Sequence, residues 1–233
     1  FLGILIPLIV VLIIFFINNS IQNTEELSNL TNIPLIGVIG VNRDKTALAV
    51  YNKPKSALSE SFRAIRSSLQ FLYKKQNVDG AKTSINIATV FALSEKKTVI
   101  VGLDLRKPKL FEEFNLNNDK GVVNYLINES SVDEITNATE IPFLDVILSG
   151  PIPPNPAELI ISERLGDLIR ELKQKYDYII LDTPPVGLVS DALELDQYCD
   201  VTLYIVRQNF SKKDMITLLN NRVKRGELKN TSI

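Results

Sequence analysis

The sequence predicts an α/β fold in which a parallel sheet is covered by helices on both faces. Three observations carry this. Thr98 to Lys109, TVIVGLDLRKPK, runs four β-branched residues through Gly102 and Leu103 into Asp104, Arg106 and a proline-stopped basic turn, the pattern of a buried parallel strand with its chemistry at the C-terminal edge. Tyr176 to Pro185, YDYIILDTPP, repeats the plan and ends in Asp182. Between and after them, strand-like runs alternate with stretches of helical periodicity, which implies parallel pairing and helical crossovers. Ligands bind at the C-terminal edge of such sheets, and two carboxylates there can hold a hard cation and the phosphates it neutralises. The alternative is that each Asp only caps a turn.

Composition narrows the chemistry. At 233 residues the chain is long enough for one large domain, or one domain with an appendage. Its 26 basic and 27 acidic residues give a net charge of −1, so no nucleic-acid partner is expected. With no His and a single cysteine, Cys199, an internal disulfide, a His/Cys zinc site and a serine-histidine triad are all excluded.

In chain order, residues 1–17, FLGILIPLIVVLIIFFI, are apolar apart from one Gly and one Pro. As a helix they span about 26 Å, against roughly 30 Å for a bilayer core. They read as the C-terminal part of a transmembrane helix, because a run apolar on all sides must be covered all round. Residues 18–55 read as linker and juxtamembrane segment. Asn18 to Asn32 is polar and holds two Glu without Lys or Arg. The next basic residues, Arg43, Lys45, Lys53 and Lys55, argue only weakly for a cytoplasmic domain. Ile33 to Val41 is apolar and, with Pro34 and two glycines, extended.

Residues 56–233 then form the main domain. Ser56 to Tyr73 is a helix whose Leu58, Phe62, Ile65, Leu69 and Leu72 fall at spacings of 4, 3, 4 and 3, one stripe toward the core. Glu60 and Arg63 lie off that stripe and Arg66 flanks it, a solvated face or a partner surface. Gly80-Ala81-Lys82-Thr83 runs directly into a helical stretch, Ser84 to Leu93, with no strand before it, so GxxxxGK[ST] is absent as written and GAKT alone reads as a turn. Phe111 to Asn118 is a loop or short helix, Gly121 to Ile127 a short helix, and Phe143 to Leu148 a strand. Ser149 to Leu159 has four prolines in eleven residues and makes a rigid loop, with Pro156 opening the next helix. Ser162 to Tyr176 is a helix, Val201 to Val206 a buried strand, Ser211 to Leu219 a helix, and Lys229 to Ile233 the start of another strand.

SGPIPPNPAELI at 149–160, VIVGLDLRKPK at 99–109, IILDTPP at 179–185 and the E-x-x-R-x-x-R pattern of Glu60, Arg63 and Arg66 together resemble the cytoplasmic domain of bacterial tyrosine kinases fused to polysaccharide co-polymerases. The resemblance covers nearly the whole chain. It implies a P-loop NTPase-like fold, ATP and Mg2+ as cofactors, and tyrosine autophosphorylation that governs capsular or exopolysaccharide polymerisation and export. It also implies a ring-like oligomer of the chain, partnership with the polysaccharide export machinery, and a place in the bacterial inner membrane with the domain facing the cytoplasm. Residue by residue, Asp104 would organise Mg2+ and act as base toward a tyrosine hydroxyl, Asp182 would hold Mg2+ through water, and Arg106 would sit near phosphate. Lys82 and Thr83 are the candidates for the nucleotide cradle, and Glu60, Arg63 and Arg66 for subunit contacts.

Two departures stand out. Gly102 occupies the position where the family often carries a second Asp. Lys82 is four residues before Asn86, whereas the family's loop Lys stands about six residues ahead, which places a lost strand and glycine-rich loop between Thr83 and Ser84. A catalytically silent co-polymerase scaffold, acting through oligomer geometry, is therefore the second expectation, and a partition-type ATPase the third. Tyr51, Tyr73 and Tyr125 remain open as phosphate acceptors.

Overall fold

The structure, a computed structural model, describes residues 18–42, 46–72, 81–184 and 191–233, with positions 6, 7 and 9 besides. The apolar run 1–17 otherwise lies outside the described residues, as do Arg43, Lys45, Tyr73, Gly80 and Pro185. Among the described residues no helix is long and apolar enough to cross a membrane.

The sheet is built around β1 (Thr98–Gly102), which is buried along its whole length. It pairs in parallel with β3 (Leu144–Ile147) on one side and β4 (Tyr178–Asp182) on the other. Beyond β3, β2 (Thr136–Ala138) closes the edge antiparallel to it. The order is thus β2-β3-β1-β4, mixed rather than wholly parallel. The Val201 to Val206 strand is much shorter than its apolar pattern suggests. Only β5, Thr202–Leu203, is a strand, and it pairs in parallel with β6, Thr231–Ser232, in a separate small sheet.

Helices cover both faces. On one, α4 (Ala81–Ala92) lies against the sheet, with α2 (Ala49–Asn52) and α3 (Ala57–Leu72) outside it. Every residue from Ser84 to Ala92 is buried, so α4 needs partners for its polar side chains. Asn86 supplies several of these contacts, accepting from the Val50 N–H at 2.9 Å and donating to the Ala47 carbonyl at 2.6 Å. Thr89 donates to the Ile85 carbonyl at 2.7 Å. The α3 stripe meets α4 as its spacing predicts, with Phe62, Ile65 and Leu69 in the same core as Ile85, Ile87 and Phe91. On the other face, α6 (Val122–Leu126) and α9 (Glu163–Lys175) pack over Val99, Val101, Ile179 and Leu181.

Residues 18–32 are more ordered than their polar composition suggests. Asn23 caps α1 (Thr24–Leu30), its Oδ1 accepting from the Glu26 N–H at 2.8 Å, and α1 docks on α11 (Lys213–Lys224) through Leu27, Ile216 and Leu219. Ile33 to Val41, expected to be extended, forms neither helix nor strand. The Ile36 N–H donates to the Ile233 carbonyl and the Ile233 N–H to the Pro34 carbonyl, both at 2.8 Å.

The α4 packing has a measurable strength. Phe91 is fully buried and its ring stacks on Tyr178 with centroids 4.0 Å apart. Phe91→Ala is expected to cost about 3–5 kcal/mol in urea unfolding, whereas Leu93→Ala, two residues on and partly exposed, is expected to cost less than about 1 kcal/mol.

Candidate functional site

Parallel register places the candidate site. Gly102 at the end of β1 pairs with Asp182 at the end of β4, and the Leu103 N–H donates to the Asp182 carbonyl at 2.7 Å. The two strand ends therefore stop side by side, and Asp104 follows two residues later. Asp104 is half-buried. Its Oδ1 accepts from the main-chain N–H groups of Arg106 at 3.2 Å and Lys107 at 3.0 Å. This local turn fixes the carboxylate, so the turn-capping and site readings of Asp104 coexist. Arg106 and Lys107 are exposed beside it.

Asp182 is buried, and its Oδ1 accepts from the Ser84 hydroxyl at 3.3 Å. That contact joins the first turns of α4 to the end of β4. Ser84 is fully buried and escaped the sequence reading, because one Ser at the head of an apolar run carries no distinguishing pattern. Lys82 and Thr83, expected in a loop, instead lie within the first turn of α4. Lys82 is exposed and its Nζ is 3.4 Å from Glu113 Oε1, an exposed pairing worth little by itself.

The proline-rich loop is held to the same edge. Ser149 Oγ donates to the Gly102 carbonyl at 2.9 Å and approaches the Asp104 carbonyl at 3.3 Å. Asn118 clasps Gly150, donating to its carbonyl at 2.6 Å and accepting its N–H at 3.0 Å. Gly150 has φ +83°, a conformation that favours glycine. Gly121 meets this loop so closely that a Cβ would lie 2.2 Å from the Leu148 carbonyl oxygen. Ser149, Asn118 and Gly121 are further residues that sequence spacing did not single out. At Gly102 a Cβ would meet Ser149 Oγ at 2.8 Å and Leu110 Cδ1 at 3.2 Å.

Of the three residues assigned to subunit contact, Glu60 and Arg63 pair with each other on the outer surface of α3, and Arg63 also donates to the Pro54 carbonyl. Arg66 turns inward. Its Nη1 donates to the Val90 carbonyl at 2.7 Å, placing a cation at the C-terminal turn of α4, where it favours the helix dipole. Arg66 is thus a brace between helices.

The tyrosines differ sharply. Tyr125 is buried, its hydroxyl donates to Glu171 at 2.6 Å, and the Arg164 guanidinium lies 4.3 Å from its ring centroid. Burial, then the Glu171 carboxylate, push its hydroxyl up to about 12, so Tyr125 is a structural group rather than an accessible acceptor. Tyr51 is half-buried, with its hydroxyl donating to the Glu140 carbonyl at 3.3 Å, and Tyr73 lies outside the described residues.

The donor set fits a small hard cation. Asp104, Asp182 and Ser84 offer oxygen only, and Mg2+ is commonly held by one or two carboxylates with water and phosphate completing its shell. Among the described residues no three His, Cys, Asp or Glu side chains converge as a metal cluster, so an all-protein cage is not built here.

Comparison with known proteins places these features. The AAA domain family matches residues 67–225. The chain is 34% identical over 174 residues to the tyrosine-protein kinase YwqD of Bacillus subtilis, covering 70% of this chain and 73% of that protein. It is 29% identical over 254 residues to the tyrosine-protein kinase ptk of Acinetobacter johnsonii, covering 98% of this chain but only 34% of that longer protein. The solved structure of the chimerical protein CapA2B2 superposes with a TM-score of 0.80 at 32% identity, covering 90% of this chain and 97% of that one.

Two expectations follow from this geometry. Gly102→Ala and Ser149→Ala should each destabilise the domain, by about 1–3 and about 1 kcal/mol. Together they should cost less than the sum, because removing Oγ relieves the closest contact; a double-mutant cycle in urea measures the coupling. For Tyr125 the folded-state value lies above the ordinary one near 10. Its contribution is therefore complete below about pH 10 and lost as pH rises through about 12. Unfolding free energies of the wild type and Tyr125→Phe should converge over that window.

Proposed function

Because the chain belongs to the bacterial tyrosine-protein kinase family, we propose that its 56–233 domain is an ATP- and Mg2+-dependent protein-tyrosine autokinase. It works in capsular or exopolysaccharide polymerisation and export, at the bacterial inner membrane, with residues 1–17 as the anchor and the domain on the cytoplasmic side. The observation that carries this reading is the meeting of the first turns of α4 with the end of β4, through Ser84 and Asp182, beside the fixed carboxylate of Asp104.

Phosphoryl transfer asks a protein mainly for positioning and charge neutralisation. Asp182 and Ser84 are the groups to hold Mg2+, directly or through water, and Asp104 shares that task at the adjacent strand end. Bound Mg2+ supplies charge neutralisation on the phosphates. Asp104 also accepts the proton of an incoming tyrosine hydroxyl, since its turn presents a carboxylate at the open edge. Arg106, exposed next to it, offsets charge on the nucleotide phosphates, and the N-terminal turn of α4 with Lys82 and Thr83 contributes further positive potential. Glu60 and Arg63 face a neighbouring subunit in a ring-like oligomer, and Arg66 holds their helix to α4 from inside.

One observation favours a second reading, a catalytically silent co-polymerase scaffold. Lys82 and Thr83 sit in a helical turn, and Lys82 is engaged with Glu113.

The full chain in detergent micelles separates the two readings. ATP with Mg2+ is expected to bind in calorimetry and to yield phosphotyrosine, and Asp182→Ala is expected to abolish phosphorylation without loss of far-UV dichroism. Retained phosphorylation in Asp182→Ala removes Asp182 from the site. Absence of binding by the wild type that a strand and glycine-rich loop inserted between Thr83 and Ser84 restores assigns the defect to the cradle. Absence even then selects the scaffold.

A further inference from the structure

The segment linking β5 to α11 plays no part in the site, yet it is a rigid turn that keeps an aromatic ring in water. Asn209 takes φ 58°. The Ser211 N–H donates to the Arg207 carbonyl at 2.9 Å, the Phe210 N–H to the same carbonyl at 3.2 Å, and the Arg207 N–H returns to Ser211 Oγ at 2.9 Å. Phe210 is thereby held 68% exposed, with Ile205 43% exposed at the start of the loop. The Arg207 guanidinium lies 5.3 Å from the Phe210 ring centroid. One exposed aromatic means little by itself. Its neighbours give it meaning.

The chain just past the apolar run 1–17 is stitched to this turn. Ser20 and Lys212 form an antiparallel bridge. The Lys213 N–H donates to the Asn19 carbonyl at 3.0 Å, the Ile21 N–H to the Ser211 carbonyl at 2.9 Å, and the Asn209 N–H to the Ile21 carbonyl at 2.8 Å. Gln208 adds a side-chain bond to the Gln22 carbonyl at 2.7 Å. Whatever surface residues 1–17 enter, this turn is held within two or three residues of it.

Charge points the same way. Lys213 is paired with Glu26 at 2.5 Å, and Asp214 accepts from Asn19 at 2.8 Å. Among the described residues no carboxylate lies within ion-pair distance of Arg207 or Lys212, and both are exposed. Residues 18–32 contain two Glu and no basic residue, so sequence proximity alone provides no cation where the chain leaves the apolar run. The fold provides them from almost two hundred residues away.

We propose that residues 205–212 form a membrane-contacting turn that rests on an anionic lipid bilayer, with Phe210 in the headgroup boundary and Arg207 and Lys212 against acidic headgroups. Aromatic rings favour that boundary, and basic side chains are drawn to acidic lipid surfaces. The inference rests on the reading of residues 1–17 as a membrane anchor.

The chain contains no tryptophan, so single-tryptophan variants report position directly. The full chain carrying Ile9→Trp or Phe210→Trp is placed in phosphatidylcholine vesicles with and without phosphatidylserine, and quenching by brominated lipid is read. Both variants are expected to be quenched. Quenching of Phe210→Trp should be at least twofold stronger with phosphatidylserine and should lose that gain when Arg207→Glu and Lys212→Glu are added. Quenching of Ile9→Trp without quenching of Phe210→Trp overturns the contact and leaves the anchor standing. Quenching of neither overturns both. Quenching of Phe210→Trp that is indifferent to phosphatidylserine overturns the roles of Arg207 and Lys212.

Discussion

The domain depends on one demanding condition, the burial of α4 on every side from Ser84 to Ala92. A helix with one wet face can leave its polar side chains to water, but this one cannot. Ser84 is answered by Asp182, Asn86 by the Val50 N–H and the Ala47 and Lys82 carbonyls, and Thr89 by Ile85. Leaving such a group unanswered costs on the order of 1–3 kcal/mol. The helix can therefore sit in one position only, with its first turns at the C-terminal edge of the sheet. The location of the candidate site follows from the location of this helix.

The same condition ties the outer layer to the chemistry. Arg66 reaches from α3 to the last turn of α4, and Phe91 in that turn stacks on Tyr178 at the start of β4. The opposite ends of α4 and β4 meet at Ser84 and Asp182. Helix and strand are thus pinned at both ends, one contact aromatic and one polar. The candidate site at the sheet edge is thereby held at a fixed place. On the far side of β1, Ser149 and the clasp between Asn118 and Gly150 do the same for the proline-rich loop.

What could be read from the residues, and what could not, follows the range of the interactions. β1 and β4 announce themselves because a strand buried on both faces is an unbroken apolar run, and each ends in an acidic residue. The α3 stripe is legible because its partner is a single core. β2 is not, since Thr136-Asn137-Ala138 has no apolar pattern and is a strand only through pairing with β3. α1 hides for a similar reason: its signal is the Asn23 cap, and its stability comes from α11, about 190 residues later. In the site, Asp104 and Asp182 were recognisable by their place at strand ends. Ser84 and Ser149 were not, because a hydroxyl gains its meaning from the group it faces. Arg66 shows the converse. Its spacing from Glu60 and Arg63 suggests a shared face, yet its flank position lets a long side chain turn inward.

The stitching of residues 19–22 to the turn at 207–213 has a mechanical consequence. Tension or torque entering at Asn18 meets three main-chain hydrogen bonds before it reaches α1. α1 packs on α11, whose Ile216 and Leu219 share a core with Ile233 beside β6, and Leu203 of β5 joins the core of Ile100 and Ile180. A displacement of residues 19–22 is therefore shared with the turn at 207–213 before it reaches α1, and through Leu203 it meets the core that carries β1 and β4.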